Sequence, residues 1–508
     1  MSTEQLRLRA APPRIPFRLP SSSGTVVVLV GGALFIALVT TAATWGYRAL
    51  FAAVILVNLV IVSVKWPRLG VALTFVYLPF MALIRRLLIG PSGWMSTDPL
   101  LVVGPLVALF LVYRVVIAEH RPAVGDKLSK YVFVLLGMAL IESVNPSGGN
   151  GVTAGVLGLL FIAVPLLWFF VGREACTPKM AMTLVYLGVA VAAIVAGYGL
   201  WQTQIGMPWW DQEWVKVSGY AALHVGEQNP IFGTQDSVIR PFGTFASARE
   251  YGSYLDIGLV FAVALALHRR YAALLTVPFL GWAIVLSSGR SILVLGLLGV
   301  VFVLGMRTRS AGGLIVTFVL GLGLLFAAIS VFGSSLDKAA NQSANPLVSH
   351  QAGGLLHPLD PNQSTLLGHT DLLKQGILDG FKDPIGKGTG VTNRAAGVAG
   401  GTNQTSEVDI SDAFISMGLI GGIVFLAIII MAFRRVVSAY FSRGDPALLA
   451  AGGLFVVMLG QWLNGGLYAV APLTWFFVGW AATMAVDSSG KRSKPRKGHA
   501  GGAIVTTR

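Results

Sequence analysis

Arginines stand where this chain can least easily tolerate a charge, and they are the first candidates for chemistry. Arg290 lies in LSSGRSILVLG and Arg240 in VIRPFGTFASAREYGSYL, each just ahead of a long apolar run. A charge beside a membrane-length apolar run is costly and therefore marks a functional position by default. A guanidinium never deprotonates at working pH, and its forked donors match the oxygens of a phosphate. Arg249 and Asp256 follow Arg240 on the entering helix and are candidate substrate contacts, although Arg249 next to Glu250 also suits an ion pair closing a helix end. Arg85 and Arg86 end an earlier apolar run and form a further candidate anion site. Three carboxylates, Glu407, Asp409 and Asp412, lead into the late run SEVDISDAFISMGLIGG. Carboxylates there suit a helix N-terminus, and Glu407 or Asp409 also suits a general base.

His350, His357 and His369 show no metal-ligand spacing, and of these His369 is the candidate proton acceptor. The stretch GKGTGV (386–391) looks like a phosphate loop. However, no strand precedes it and no GK[ST] follows, so it reads as a flexible turn. The single cysteine, Cys176, allows neither an intrachain disulfide nor a zinc cluster. No metal and no cofactor are expected.

The elements that must position these residues follow from composition. Of 508 residues, 55% are hydrophobic and only 12% charged, about half the usual charged share of a soluble domain. Such a chain cannot cover its surface with polar groups, which excludes a soluble enzyme. Apolar runs of spanning length recur from residue 25 to 486, which predicts an all-α polytopic membrane protein. A barrel of short alternating strands is excluded. About fourteen spans (12–14) are expected, near 25–43, 48–64, 69–88, 98–117, 128–144, 152–172, 180–200, 251–267, 271–287, 291–305, 312–331, 412–433, 447–464 and 467–486. Basic tails flank them at 1–24 and 487–508. Two long segments, 202–250 and 332–411, read as outer loops. Within the second, residues 364–381 form a short amphipathic helix, with Ser364 or Thr365 as cap and an apolar stripe of Leu366, Leu367, Leu373, Ile377 and Leu378.

The net charge is +15. With the N-terminus in the cytoplasm, 25 of the 37 basic residues fall on the cytoplasmic side and four in short outer loops. That asymmetry places both termini in the cytoplasm, so the charge calls for a lipid bilayer and not for nucleic acid.

The order of motifs resembles the O-antigen ligase and polymerase superfamily, bacterial membrane glycosyltransferases acting on lipid-linked sugars. The resemblance rests on three stretches between about 240 and 430: RPFGTFASAREYGSYL (240–255), LSSGRSILVLGLLGVV (286–301), and LKQGILDGFKDPIGKGTG (373–390) with DAFISMGLIGGIVFL (412–426). It implies an undecaprenyl-diphosphate-linked glycan donor, a glycan acceptor, and a site at the outer face of the inner membrane. A flippase and a chain-length regulator are the partners it suggests. It also implies that Arg240 and Arg290 meet the diphosphate, while Glu407, Asp409 or His369 takes the acceptor proton. In that family's ligases a His-Asn pair stands where this chain has Glu407-Val408, and His369 replaces an arginine. These departures favour a polymerase of O-antigen, capsule or exopolysaccharide. The alternatives are a ligase passing lipid-linked glycan to another acceptor, and a polysaccharide or lipid-linked-sugar transporter.

Overall fold

A computed structural model describes residues 46–95, 97–118, 125–149, 151–218, 224–225, 238–343, 345–357, 360, 366–392, 408–462 and 468–484. The expected first span (25–43), the terminal tails, Glu407 and the caps Ser364 and Thr365 lie outside the described residues. The described residues are helical almost throughout. The chain runs α1 (Gly46–Lys65), α2 (Pro67–Leu87), α3 (Leu100–Ile117), α4 (Lys127–Glu142), α5 (Gly151–Ala175), α6 (Pro178–Gln204) and α7 (Trp209–Ser218). A two-residue antiparallel ladder of β1 (His224–Val225) and β2 (Val238–Ile239) leads to α8 (Ala248–Leu267). A 3₁₀ turn, Tyr271–Thr276, then enters α9 (Val277–Leu286), followed by α10 (Arg290–Met306) and α11 (Ala311–Gln342). The last elements are α12 (Pro346–Leu356), α13 (Leu366–Lys382), α14 (Asp409–Arg443), α15 (Pro446–Trp462) and α16 (Val470–Met484).

This is an all-α membrane protein, but the expected count is not reached. Among the described residues, 7 helices are long and apolar enough to cross a bilayer: α1, α2, α3, α5, α6, α8 and α14. Several of the remaining apolar helices are short. The 17 residues of α10 rise only about 26 Å, short of a hydrocarbon core of roughly 30 Å. α15 and α16 are also apolar and short. Nor is 332–411 a simple loop. α11 continues through it to Gln342, and α12 and α13 occupy much of the rest.

The bundle is organised around α8. Its start follows from sequence: Ser247 caps it, its Oγ accepting from the Glu250 amide at 3.1 Å, the first half of a Ser-x-x-Glu capping box. The Glu250 carboxylate accepts from the Ala469 amide and ties α8 to the start of α16. The spanning window of α8 is 83% buried, so this helix faces protein on all sides. α6, α10 and α15 pack around it. Beside them an aromatic cluster of Phe75, Trp168 and Phe476 joins α2, α5 and α16.

α14 carries a break at Gly418, where φ is 66° and ψ −168°. Such a break strips helix hydrogen bonds from the residues on either side, and in an apolar setting these must be replaced. Residues 384–388 replace them. The Lys387 and Gly388 amides donate to the Ile415 and Ser416 carbonyls, both at 3.0 Å, and the Leu419 amide donates to the Pro384 carbonyl at 3.2 Å. The two motifs Pro-Ile-Gly-Lys-Gly and Gly-Leu-Ile-Gly therefore exist for one another. The segment 386–392 is largely buried, with Thr389 donating to the Gly155 carbonyl at 2.7 Å, so the expected flexible turn is a packed strap.

The helix expected at 364–381 is α13, which ends before Asp383-Pro384 as expected. It docks on α14 through small residues and not through its leucine stripe: Gly376 faces Ser411 and Gly380 faces Phe414. Leu367 and Leu378 stay exposed, while Leu373 and Ile377 are half-buried.

An alanine at Gly418 would place its Cβ 2.1 Å from the Pro384 carbonyl oxygen. Gly418→Ala should therefore lower the melting temperature of the purified protein, with at least ~1–2 kcal/mol lost to the left-handed conformation alone. Gly137→Ala, at a helical position with open space, should be neutral or slightly stabilising. Equal melting temperatures for the two variants would contradict the strap.

Candidate functional site

The arginines at the α8 start of the bundle sort into two classes. Arg48, Arg85 and Arg86 each have a carboxylate partner. Arg48 and Arg85 share Asp98, the latter at 3.3 Å. Arg85 also donates to the Met95 carbonyl at 2.8 Å and lies 4.5 Å over the Trp94 ring. Arg86 pairs with Asp211 at 2.8 Å. These carboxylates are fully buried, so Arg85 and Arg86, expected from sequence as an anion site, are held within the bundle by ion pairs.

Arg86 has a particular task. It donates to the Gly243 carbonyl at 2.6 Å and to that of Phe245, and lies 4.7 Å over the Phe242 ring. Gln202 reinforces this from α6, accepting from the Phe242 and Gly243 amides at 3.2 and 2.8 Å while donating to Asp211 at 2.7 Å. Thr244 donates to the Pro79 carbonyl at 2.7 Å. The segment Phe242–Phe245 is thus riveted to α2, α6 and α7, and Arg240 is held just ahead of it.

Arg240 and Arg290 form the second class. Their guanidiniums meet at His350, whose Nε2 lies 3.1 Å from Arg240 Nη2 and 2.7 Å from Arg290 Nη2. Arginine only donates, so His350 Nε2 is placed to accept from both guanidiniums. Among the described residues neither guanidinium has a carboxylate partner, and Arg240 Nε, though buried, has no hydrogen-bond partner. The charges acting on Arg240 are Arg290 and Arg249, both of its own sign. Burial, with those two neighbours, brings Arg240 down to about 10. Burial, then Arg290 and Arg240, brings His350 down to about 4.

Local sequence explains the meeting. Gly289 starts α10, leaving Arg290 in its first turn. Asn345 caps α12 and Pro346 opens it, which lays that helix across the α9–α10 corner. Ser288 fixes it there by donating to the Leu347 carbonyl at 3.2 Å. Gly354, one turn beyond His350 on the same face, leaves room for Arg290; a Cβ there would sit 2.0 Å from Nε.

Of the residues expected from sequence, Arg240, Arg290 and Arg249 are brought together. Asp256 is buried deeper in α8, neither carboxyl oxygen is hydrogen-bonded, and it faces Gly296 of α10. His369, Asp409 and Asp412 lie on two other helices, α13 and α14. His369 shares the face of α13 that carries Gly376, and the two aspartates occupy the first turn of α14. The residue missed is His350, read as one of three isolated histidines. The Asn-Pro start of α12 and the His350–Gly354 spacing were the available signals. No grouping of His, Cys, Asp or Glu among the described residues could hold a metal ion.

The chain matches no protein-family model, and no curated protein is significantly similar to it.

The lowered His350 value has a consequence of known sign. A histidine held neutral in the folded state contributes stability that is complete above about 6.5, its ordinary value, and is lost as pH falls toward 4. Thermal melts between pH 7 and pH 4 should therefore show a fall in stability that His350→Gln, which keeps an acceptor but cannot be protonated in that range, makes shallower. Superimposable pH profiles would remove His350 from between the arginines.

Proposed function

We propose that this chain is a membrane glycosyltransferase. It polymerises undecaprenyl-diphosphate-linked oligosaccharide repeats into O-antigen, capsule or exopolysaccharide at the outer face of the bacterial inner membrane. One observation carries the reading: the two arginines singled out in separate motifs converge on one imidazole, and among the described residues neither has a carboxylate partner. A diphosphate leaving group gains negative charge as its glycosidic bond breaks, and fixed cations in a site of low dielectric stabilise that charge most strongly.

In this reading the donor's diphosphate takes the place of the His350 nitrogen between Arg240 and Arg290, with Arg249 adding charge at the rim. The acceptor hydroxyl attacks the anomeric carbon. The carbon–oxygen bond to the diphosphate breaks, and its electron pair leaves with the diphosphate. The hydroxyl proton passes to a base, for which Glu407, Asp409 and His369 are the candidates. In-line displacement inverts the anomeric configuration. No metal is required, because the arginines supply the positive charge.

The membrane reading is completed with about fourteen crossings and both termini in the cytoplasm, the shorter apolar helices serving as spans. Contacts at the opposite end of the bundle support this orientation. There Arg309 donates to the Phe441 carbonyl at 2.9 Å, His268 lies 3.3 Å from the Gly444 carbonyl, and Arg443 donates to the Met484 carbonyl at 2.9 Å. Basic side chains thus gather at one end, and Arg240 and Arg290 lie at the other.

Arg240→Ala and Arg290→Ala should each reduce polymer formation at least ~100-fold, the scale of losing one donor to a developing charge, at normal protein level in the membrane. The check is complementation of a deletion strain with glycan analysis by gel and mass spectrometry. Single repeats left on the carrier support a polymerase. Full-length polymer left on the carrier means a ligase, and precursor retained at the cytoplasmic face means a transporter. Wild-type polymer from either variant would contradict the site.

A further inference from the structure

A second pair of unpaired arginines lies at the far end of α8, roughly 30 Å from the first by the length of that helix. The chain leaves α8 through Arg269, a non-glycine residue at φ 65°. The turn is closed by the Arg269 amide on the Ala266 carbonyl at 2.9 Å and the Arg270 amide on Leu265 at 3.0 Å. Left-handed backbone is costly outside glycine, and here it sends two consecutive arginines outward. Both are exposed, and among the described residues neither guanidinium has an ion-pair or hydrogen-bond partner.

These arginines stand at the mouth of a crevice of about 710 Å³ between α6 and the 3₁₀ turn. Its walls are apolar apart from a few hydroxyls, with Val189 and Ala190 on one side, Ala272 and Ala273 on the other and Leu265 at the back. Tyr186 and Tyr271 also line it and are exposed, amphipathic rings of the kind enriched at a membrane–water boundary. Beside the crevice α6 packs against α9, where Ile194, Phe279 and Trp282 are exposed.

We infer that this crevice binds one anionic phospholipid, its phosphate held by Arg269 and Arg270 and an acyl chain lying along the α6–α9 seam. The argument is charge complementarity joined to shape. A free phosphate ion would use the arginines but not the apolar walls, and a neutral lipid would use the walls but not the arginines. Basic pockets between membrane helices hold anionic headgroups in this way. The inference stands independently of the glycosyltransferase reading, since it uses neither Arg240 nor Arg290.

The test is native mass spectrometry of the full chain released from nanodiscs containing phosphatidylglycerol and phosphatidylcholine. The wild type should retain one phosphatidylglycerol in preference to phosphatidylcholine. Arg269→Ala/Arg270→Ala should weaken that retention roughly 30-fold, the expected loss for two basic contacts to an anionic headgroup, and Arg269→Lys/Arg270→Lys should keep most of it. Arg434→Ala/Arg435→Ala removes the same charge outside the crevice and should leave retention unchanged. A melting temperature measured for each variant confirms folding. Equal retention in the two alanine pairs, displacement by inorganic phosphate alone, or equal retention of phosphatidylcholine would each overturn the inference.

Discussion

A buried positive charge must find a negative partner or a task, because leaving it uncompensated in a low-dielectric interior costs several kcal/mol. That constraint shapes the site end of this molecule. Arg48, Arg85 and Arg86 obey it with Asp98 and Asp211. Arg240 and Arg290 meet instead at a neutral imidazole. A ring nitrogen satisfies their donors without cancelling their charge. The arrangement keeps two cations close together, and an arriving anion would relieve their mutual repulsion.

The ion-paired arginines position Arg240. Arg86 is anchored by Asp211, and through its remaining donors it grips the carbonyls of Gly243 and Phe245. Gln202 holds the amides of the same segment. Arg240 is thus carried on backbone fixed from three helices. Arg290 is positioned by a different device, the start of α10 under the α12 helix that brings His350. Two rigid supports converge on one ring, the kind of preorganisation from which electrostatic stabilisation of a leaving group benefits.

Much of this was legible in the sequence, and what was not has physical causes. Apolar runs announce helices, so α1, α2, α3, α5, α6, α8 and α14 were readable as spans. Length alone does not say how a 15-residue helix such as α16 relates to a bilayer, so the count was not readable. Arg240 and Arg290 stood out because charges beside spans are rare. Arg85 and Arg86 stood out for the same reason, but their partners Asp98 and Asp211 are distant in sequence and reveal themselves only on folding. His350 gave no signal as a residue type, since its role depends on the corner that α12 covers. GKGTGV read as flexible from its glycines, yet those glycines permit close packing against the broken α14.

The central claim is that Arg240 and Arg290 form a preformed cradle for a lipid diphosphate. Its most direct test is the equilibrium binding of undecaprenyl diphosphate to the full chain in nanodiscs, with undecaprenol as the uncharged comparison. The account predicts saturable binding of the diphosphate that is selectively lost when both arginines are replaced by glutamine, while undecaprenol is affected little. Undiminished diphosphate binding by the doubly substituted protein would contradict it.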